Sequence, residues 1–139
     1  MGTLEGPRIV TLVMFLGAAL LLSAALQPDR EVAVRVRSAE VTVVFPERPL
    51  PLARERVIAW VQACGETVAD YFGKFPVPRI RLEIASRGKG GIHSGRTWNG
   101  RLIRIDLSSS TREQDLDDDW ILTHEFCHQI GRASCRERV

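Results

Sequence analysis

Asp119-Trp-Ile-Leu-Thr-His-Glu-Phe-Cys-His128 is the stretch of sequence from which both a fold and a chemistry can be read. Three apolar residues, Trp120 to Leu122, lead into a polar motif, which is typical of a helix with one buried face. With 3.6 residues per turn, His124 and His128 lie on the same face, one turn apart. Three carboxylates at the start of the segment are suited to cap the first helical turn, namely Asp117, Asp118 and Asp119. The stretch therefore predicts a helix from Trp120 onward that carries two neighbouring histidines.

The two histidines and the glutamate between them have the spacing of a metal site. Zinc suits two neutral imidazole nitrogens and an oxygen ligand, with a fourth position left to water. Glu125 directly follows the first histidine, so it would lie beside that water and take its proton. This five-residue pattern is a signature of zinc proteases. We therefore predict that His124 and His128 are zinc ligands and that Glu125 is the general base. The alternative is a polar helix face that carries two histidines by chance.

Upstream of this helix, the hydrophobic pattern changes between strand and helix periodicities. Alternation and β-branched residues predict four strands, at residues 31–37, 41–45, 79–85 and 101–107. Apolar residues at steps of three and four predict a helix over 52–72, with a stripe of Val57, Val61, Cys64, Val68 and Tyr71 or Phe72. Residues 87–100 are predicted to be a glycine-rich loop with a turn at its end, and residues 108–119 a polar connection. This order of elements predicts an α+β fold.

Residues 79–128 resemble the N-terminal half of a zincin metallopeptidase domain, in particular the gluzincin branch with peptidase-MA-like domains. The five-residue motif His124 to His128 carries the specific part of this likeness. Residues 119–125 are similar to the lead-in found in secreted bacterial members. The resemblance implies a third zinc ligand, a glutamate on a following helix. It also implies that strand 101–107 is the edge strand above the active-site cleft, where an extended substrate binds by strand addition.

The N-terminal segment is the most apolar part of the chain. Residues 9–26 contain no charge, Arg8 precedes them, and polar residues follow. A basic start, an apolar centre and the small residues Ser23 and Ala25 are typical of a cleaved secretory signal. The apolar run is also long enough to cross a bilayer as one helix. We therefore expect residues 1–26 to be a signal peptide or a single membrane anchor, and the remaining chain to lie outside the cytoplasm.

The last ten residues, IGRASCRERV, resemble the translation of a common sequencing adapter. We expect residues 129–139 to be a non-native tail, and residues 27–128 to be a partial zincin-like domain. The chain has 19 Lys and Arg and 17 Asp and Glu, and the last ten residues contribute three Arg and one Glu, which leaves 16 of each. A neutral body gives no reason to expect nucleic acid as a partner. Ser134 stands where the metzincin branch has a third histidine, but it belongs to the tail and decides nothing about that branch.

Without the tail, the chain has two cysteines, Cys64 and Cys127. They could form a disulfide outside the cytoplasm, but Cys127 lies within the motif on a helix that should be buried. We therefore expect two free thiols.

The function expected of the intact protein is zinc-dependent hydrolysis of a peptide or protein substrate, with zinc-bound water activated by Glu125. The fragment of 139 residues is expected to be inactive and to bind zinc weakly, because it has two of three ligands. One alternative is a zincin-like module of the cell envelope that binds without catalysis. The other is a structural envelope protein that holds no metal.

Overall fold

The computed structural model describes residues 30–136, with side chains described as far as Ile130. The predicted signal peptide or anchor at 1–26 lies outside the described residues, as do most side chains of the predicted tail. In the part of the chain that is described, no helix is long and apolar enough to span a membrane.

Five strands form one mixed sheet. They are β1 (Glu31–Val36), β2 (Ala39–Val44), β3 (Arg79–Ser86), β4 (Ile92–Trp98) and β5 (Leu102–Leu107). Their order across the sheet is β1-β2-β3-β5-β4. The three central strands run parallel, whereas β1 and β4 lie at the two edges and are antiparallel to their neighbours.

Helices pack against one face of this sheet. Residues 30–136 contain α1 (Arg54–Phe72), the short α2 (Glu113–Asp117) and α3 (Ile121–Arg136). The parallel pair β2 and β3 needs a long crossover, and α1 supplies it. Gly65 allows α1 to approach the sheet closely, because a Cβ at this position would lie 2.7 Å from Cγ2 of Val36. The mixed sheet with packed helices confirms the predicted α+β class.

A single hydrophobic core lies between the helices and the sheet. It is built from alternate positions of the strands and from the facing stripes of α1 and α3; its fully buried members include Val36, Val41, Val43, Leu82, Ile103, Ile105, Leu107, Val57, Val61, Leu122 and Phe126. The opposite face of the sheet is polar. On it, Arg81 pairs with Glu31 at 2.7 Å, and Arg104 pairs with Glu83 at 2.8 Å. Within residues 30–136, the helices therefore lie on the apolar face of the sheet only.

The structure corrects two sequence expectations about the sheet. Residues 92–98, which were expected to be loop, form the edge strand β4. Strand 101–107 was expected to be the edge strand, and this is wrong, because β5 (Leu102–Leu107) lies between β3 and β4. The turn expected at the end of the glycine-rich segment is confirmed. Asn99 and Gly100 have φ values of 51° and 65°, as a tight hairpin between β4 and β5 requires.

Two details of the helices also differ from expectation. The apolar stripe of α1 does not extend to Tyr71 or Phe72, whose exposed fractions are 82% and 43%, and Trp60 is buried instead. The helix stops at this point because Gly73 adopts the left-handed conformation that commonly ends a helix. The polar connection over 108–119 contains α2. Helix α3 continues to Arg136, and the non-native origin expected for residues 129–139 remains a prediction.

Candidate metal centre

The helix that carries the motif begins at a carboxylate cap. Asp119 accepts hydrogen bonds from the backbone N–H groups of Ile121, at 2.9 Å, and Leu122, at 3.1 Å. Of the three predicted cap residues, Asp119 is therefore the one whose side chain bonds the first turn. Burial raises the pKa of the Asp119 carboxyl above its usual range, although its hydrogen bonds to Leu122 and Ile121 act in the opposite direction.

The two histidines converge on the exposed face of α3. Their Nε2 atoms lie 2.9 Å apart, and the rings are nearly perpendicular, with centroids separated by 4.4 Å. Trp120 makes an edge contact with the ring of His124, at a centroid distance of 5.4 Å. The rings therefore turn one nitrogen each toward a common point.

These nitrogens fit a zinc ion. Zinc binds imidazole nitrogen at about 2.0–2.1 Å in tetrahedral sites, which places two bound nitrogens about 3.4 Å apart. The Nε2 atoms of His124 and His128 are 2.9 Å apart, so small rotations of two exposed rings bring them to the required spacing. Together with a carboxylate oxygen of Glu125, the ligand atoms lie within 4.8 Å of one another. Among the described residues, the two histidines are thus the candidate ligands, with Glu125 close enough to act beside the metal.

Glu125 is held in a different environment from the histidines. Its exposed fraction is 7%, and Oγ1 of Thr97 donates a hydrogen bond to its Oε2 at 2.5 Å. Thr97 belongs to β4, so the edge strand reaches the motif directly. The hydrogen bond fixes one oxygen of the carboxylate, whereas Oε1 accepts no hydrogen bond from the described residues.

Gly95 is the position at which α3 and β4 come closest. A Cβ built on Gly95 would lie 2.7 Å from Cγ2 of Ile121, 2.8 Å from Cγ of Glu125 and 3.0 Å from Cδ1 of Ile105. Contacts this short do not occur between real side chains, so any larger residue would push the helix away from the strand. The absence of a side chain at Gly95 therefore lets Glu125 pack against β4.

A groove of about 350 Å³ opens between β4 and α3. It is lined by Arg96, Thr97, Trp98, Glu125 and His128. A larger depression, of about 770 Å³, lies over the polar face of the sheet and contains none of the motif residues. The smaller groove is the one of these two that contains residues of the motif, Glu125 and His128.

Buried residues on the core-facing side of α3 hold this helix in place. Phe126 is fully buried and makes an edge contact with Phe75, at a centroid distance of 5.1 Å. Gln129 is also fully buried and donates a hydrogen bond to the backbone carbonyl of Glu125 at 3.4 Å. These contacts fix the rotation of α3, which decides that the histidines face solvent while Glu125 faces β4.

Both cysteines in the described core are free, as expected. Burial raises the pKa of the Cys64 thiol to about 11, and it also raises the pKa of Cys127. Cys127 is partly rather than fully buried. A thiol needs a lowered pKa to act as a nucleophile near neutral pH, so Cys64 is a packing residue.

His124, Glu125 and His128 lie close together in the structure, and their roles as zinc ligands and general base stay predictions. The residues of β4 that line the groove, namely Arg96, Thr97 and Trp98, were missed, as was Gly95, at which α3 approaches the strand. The dipeptide Asn99-Gly100 was the available signal, because this pair is the strongest short-range indication of a β-hairpin and implies a strand on each side.

No known family model matches the chain, and no curated protein is significantly similar to it. The chemical interpretation therefore rests on the geometry of α3 and β4.

Proposed function

We propose that this chain carries the catalytic helix of a zinc-dependent peptidase of zincin type. The observation that supports the proposal most strongly is the difference in burial among three residues of one helical turn. His124 and His128 are exposed and their Nε2 atoms converge, whereas Glu125 is buried and hydrogen-bonded to the neighbouring strand. A chance polar helix face has no reason to bury the one carboxylate between two exposed histidines.

Each residue has a distinct part in the proposed reaction. His124 and His128 would hold zinc, which when bound lowers the pKa of water and polarises a carbonyl group. Glu125 takes a proton from the attacking water and returns it to the leaving amine. Thr97 holds Oε2 of Glu125 at 2.5 Å, so that the carboxylate keeps one orientation through both proton transfers.

A peptide is the substrate class that the edge strand favours. β4 pairs with β5 on one side, and no other described strand pairs with its second side. An extended peptide can add to such an edge through backbone hydrogen bonds. Because β4 also lines the groove that contains Glu125, a peptide bound there would pass beside the proposed general base. This role, expected of strand 101–107 from the resemblance, is therefore assigned to β4.

The proposal also includes parts of the protein beyond the described residues. Catalytic zinc sites use three protein ligands, and residues 30–130 provide two histidines with one glutamate beside them. The proposal therefore needs a third ligand from outside residues 30–130, and a site with the two histidines alone would hydrolyse peptides poorly. The protein would act outside the cytoplasm, directed or anchored there by residues 1–26.

The test is the substitution Glu125→Gln in the full-length gene product, read from its source locus past the codon for His128. Loss of the general base should lower the rate of peptide hydrolysis by at least about a hundredfold, while zinc content and the circular-dichroism spectrum stay unchanged. Full activity in this variant would disprove the mechanism.

The same preparation separates the two alternatives. A protein that binds one zinc but cleaves no member of a broad peptide library would be a binding module without catalysis. A protein that binds no zinc would be a structural component of the cell envelope.

A further inference from the structure

Arg96 lies in the edge strand β4, where charged side chains are common. It is exposed, and the register of the sheet sets it directly opposite Arg104 of β5. Two like charges at opposed positions of an antiparallel pair destabilise the sheet. A negatively charged group bound beside Arg96 would relieve this repulsion.

Only one of the two opposed arginines is neutralised. Arg104 forms an ion pair with Glu83 at 2.8 Å, and its guanidinium lies 5.5 Å from the ring centroid of Trp98. Arg96 makes no hydrogen bond or ion pair with any described residue. Its guanidinium therefore keeps five unused N–H donors and a full positive charge.

Arg96 is one of the residues that line the groove beside the motif, but its side chain alternates with that of Thr97 and lies on the same sheet face as Arg104. Arg96 lines the groove together with Thr97, Trp98, Glu125 and His128. The only carboxylate among these residues is that of Glu125, which has an exposed fraction of 7% and is already bonded to Thr97. An extended peptide paired with the free edge of β4 would place every second side chain on the face of Arg96, where it meets this positive charge.

We propose that Arg96 is a specificity-determining residue that binds a carboxylate of an extended peptide lying along β4. The guanidinium fork matches a carboxylate through two parallel N–H···O hydrogen bonds, a geometry that lysine cannot reproduce. Trp98, with an exposed fraction of 38%, provides an apolar wall next to it. The carboxylate can belong to an Asp or Glu side chain or to the C-terminus of the peptide. This inference rests on the proposed peptide substrate, but it concerns binding and not hydrolysis.

The experiment measures peptide binding to the full 139-residue chain by intrinsic fluorescence, since Trp98 lines the groove. Three alanine-based pentapeptides are compared: one with a central Glu and blocked ends, one with a central Gln and blocked ends, and one with a central Gln and a free C-terminal carboxylate. The variants are Arg96→Gln and Arg96→Lys. The matched control is Arg79→Gln, because Arg79 is also an exposed strand arginine but does not line the groove.

We expect the wild-type chain and Arg79→Gln to bind a carboxylate peptide roughly three- to tenfold more tightly than the neutral peptide, as one partly exposed ion pair allows. Arg96→Gln should lose this preference, and Arg96→Lys should retain only part of it. Preference for the central Glu identifies a side-chain carboxylate, and preference for the free C-terminus identifies a terminal one.

The proposal is overturned if no peptide binds, if the three peptides bind equally, or if the preference survives in Arg96→Gln. Its failure can be distinguished from failure of the proposed function. A carboxylate preference without any peptide hydrolysis by the full-length protein would leave the Arg96 site standing and disprove the peptidase. Hydrolysis without a carboxylate preference would support the peptidase and disprove the Arg96 site.

Discussion

Burial distinguishes Glu125 from the two histidines that flank it in the motif. Neutral imidazoles on an exposed helix face lose little hydration, and they are free to rotate toward a metal. A carboxylate that is 93% removed from solvent, by contrast, needs a hydrogen-bond donor, and Thr97 provides one. The hydroxyl of Thr97 is thus a positioning group for Glu125 rather than a group that contacts substrate.

Thr97→Val should lower kcat of the proposed peptide hydrolysis by about 10- to 100-fold, the range seen when outer partners of metal-site residues are removed. KM should change little, because the hydroxyl orients Glu125 and does not bind substrate. Thr97→Ser keeps the hydroxyl and should restore most of kcat. Steady-state kinetics of both variants test this positioning role. Equal losses of kcat in Thr97→Val and Thr97→Ser would contradict it.

Asp119 allows a second test at the level of single residues. Asp119→Ala should destabilise the chain by about 1 kcal/mol, because α3 loses its cap, whereas Asp119→Asn retains a good capping residue. Urea unfolding at neutral pH, followed by circular dichroism, measures both changes. Equal destabilisation by Ala and Asn would show that the carboxylate charge, and not the cap, is what matters.

The pH dependence of Asp119 has a definite sign. Burial raises its folded-state pKa above the unfolded value of about 3.9, so the folded chain binds the proton more tightly. The part of its contribution to stability that comes from protonation is therefore fully present below pH 4 and is lost as the pH rises through the raised value, whereas the cap hydrogen bonds remain at neutral pH. In unfolding experiments from pH 3 to pH 7, wild type should lose stability relative to Asp119→Asn, and an opposite trend would contradict the assignment.

At the level of elements, the contact between α3 and β4 depends on Gly95. Gly95→Ala should destabilise the chain by roughly 1–3 kcal/mol, because its Cβ would overlap with side chains of Ile121 and Glu125. His93→Ala is the matched control, since His93 is an exposed residue of the same strand and its replacement should change stability by less than about 0.5 kcal/mol. Chemical denaturation compares the two, and a Gly95→Ala variant as stable as the control would disprove the close packing.

The sheet shows which elements a sequence can predict. β1, β3 and β5 were found because they alternate buried and less buried positions, such as Ile80, Leu82 and Ile84 in β3. β4 reads Ile-His-Ser-Gly-Arg-Thr-Trp, with no such alternation and with a glycine at its centre. It forms a strand because it pairs with β5 and packs against α3. These contacts are long-range, so the local sequence of β4 shows no strand periodicity of apolar residues.

The candidate site was predictable to a corresponding degree. The motif on α3 depends only on helical spacing, so His124, Glu125 and His128 could be placed from local sequence. Thr97 and Arg96 reach the same groove from a distant segment, through a register that only the folded sheet defines. The prediction that strand 101–107 lies at the edge was wrong for the same reason, because the order of strands in a sheet does not follow their order in the chain.

For the whole molecule, metal binding and folding should be coupled. A metal that binds the folded chain but not the unfolded chain stabilises the folded state by about 2.7 kcal/mol when the metal concentration is one hundred times the dissociation constant. For a domain of this size, that corresponds to a rise in Tm on the order of 10 °C. Differential scanning calorimetry should show the rise in the wild-type chain and not in the double variant His124→Ala, His128→Ala. Equal shifts in both chains would assign the stabilising metal to other residues.

The central claim is that His124 and His128 together bind zinc, and isothermal titration of zinc into the 139-residue chain tests it most directly. The double variant His124→Ala, His128→Ala has the same cysteines, so any difference between the two titrations belongs to the histidines. We predict one zinc per wild-type chain, with a dissociation constant on the order of 1 µM or weaker because residues 30–130 provide two histidine ligands rather than three protein ligands, and no binding at this site in the variant. Identical titrations of the two chains, or no zinc bound by the wild type, would contradict the account.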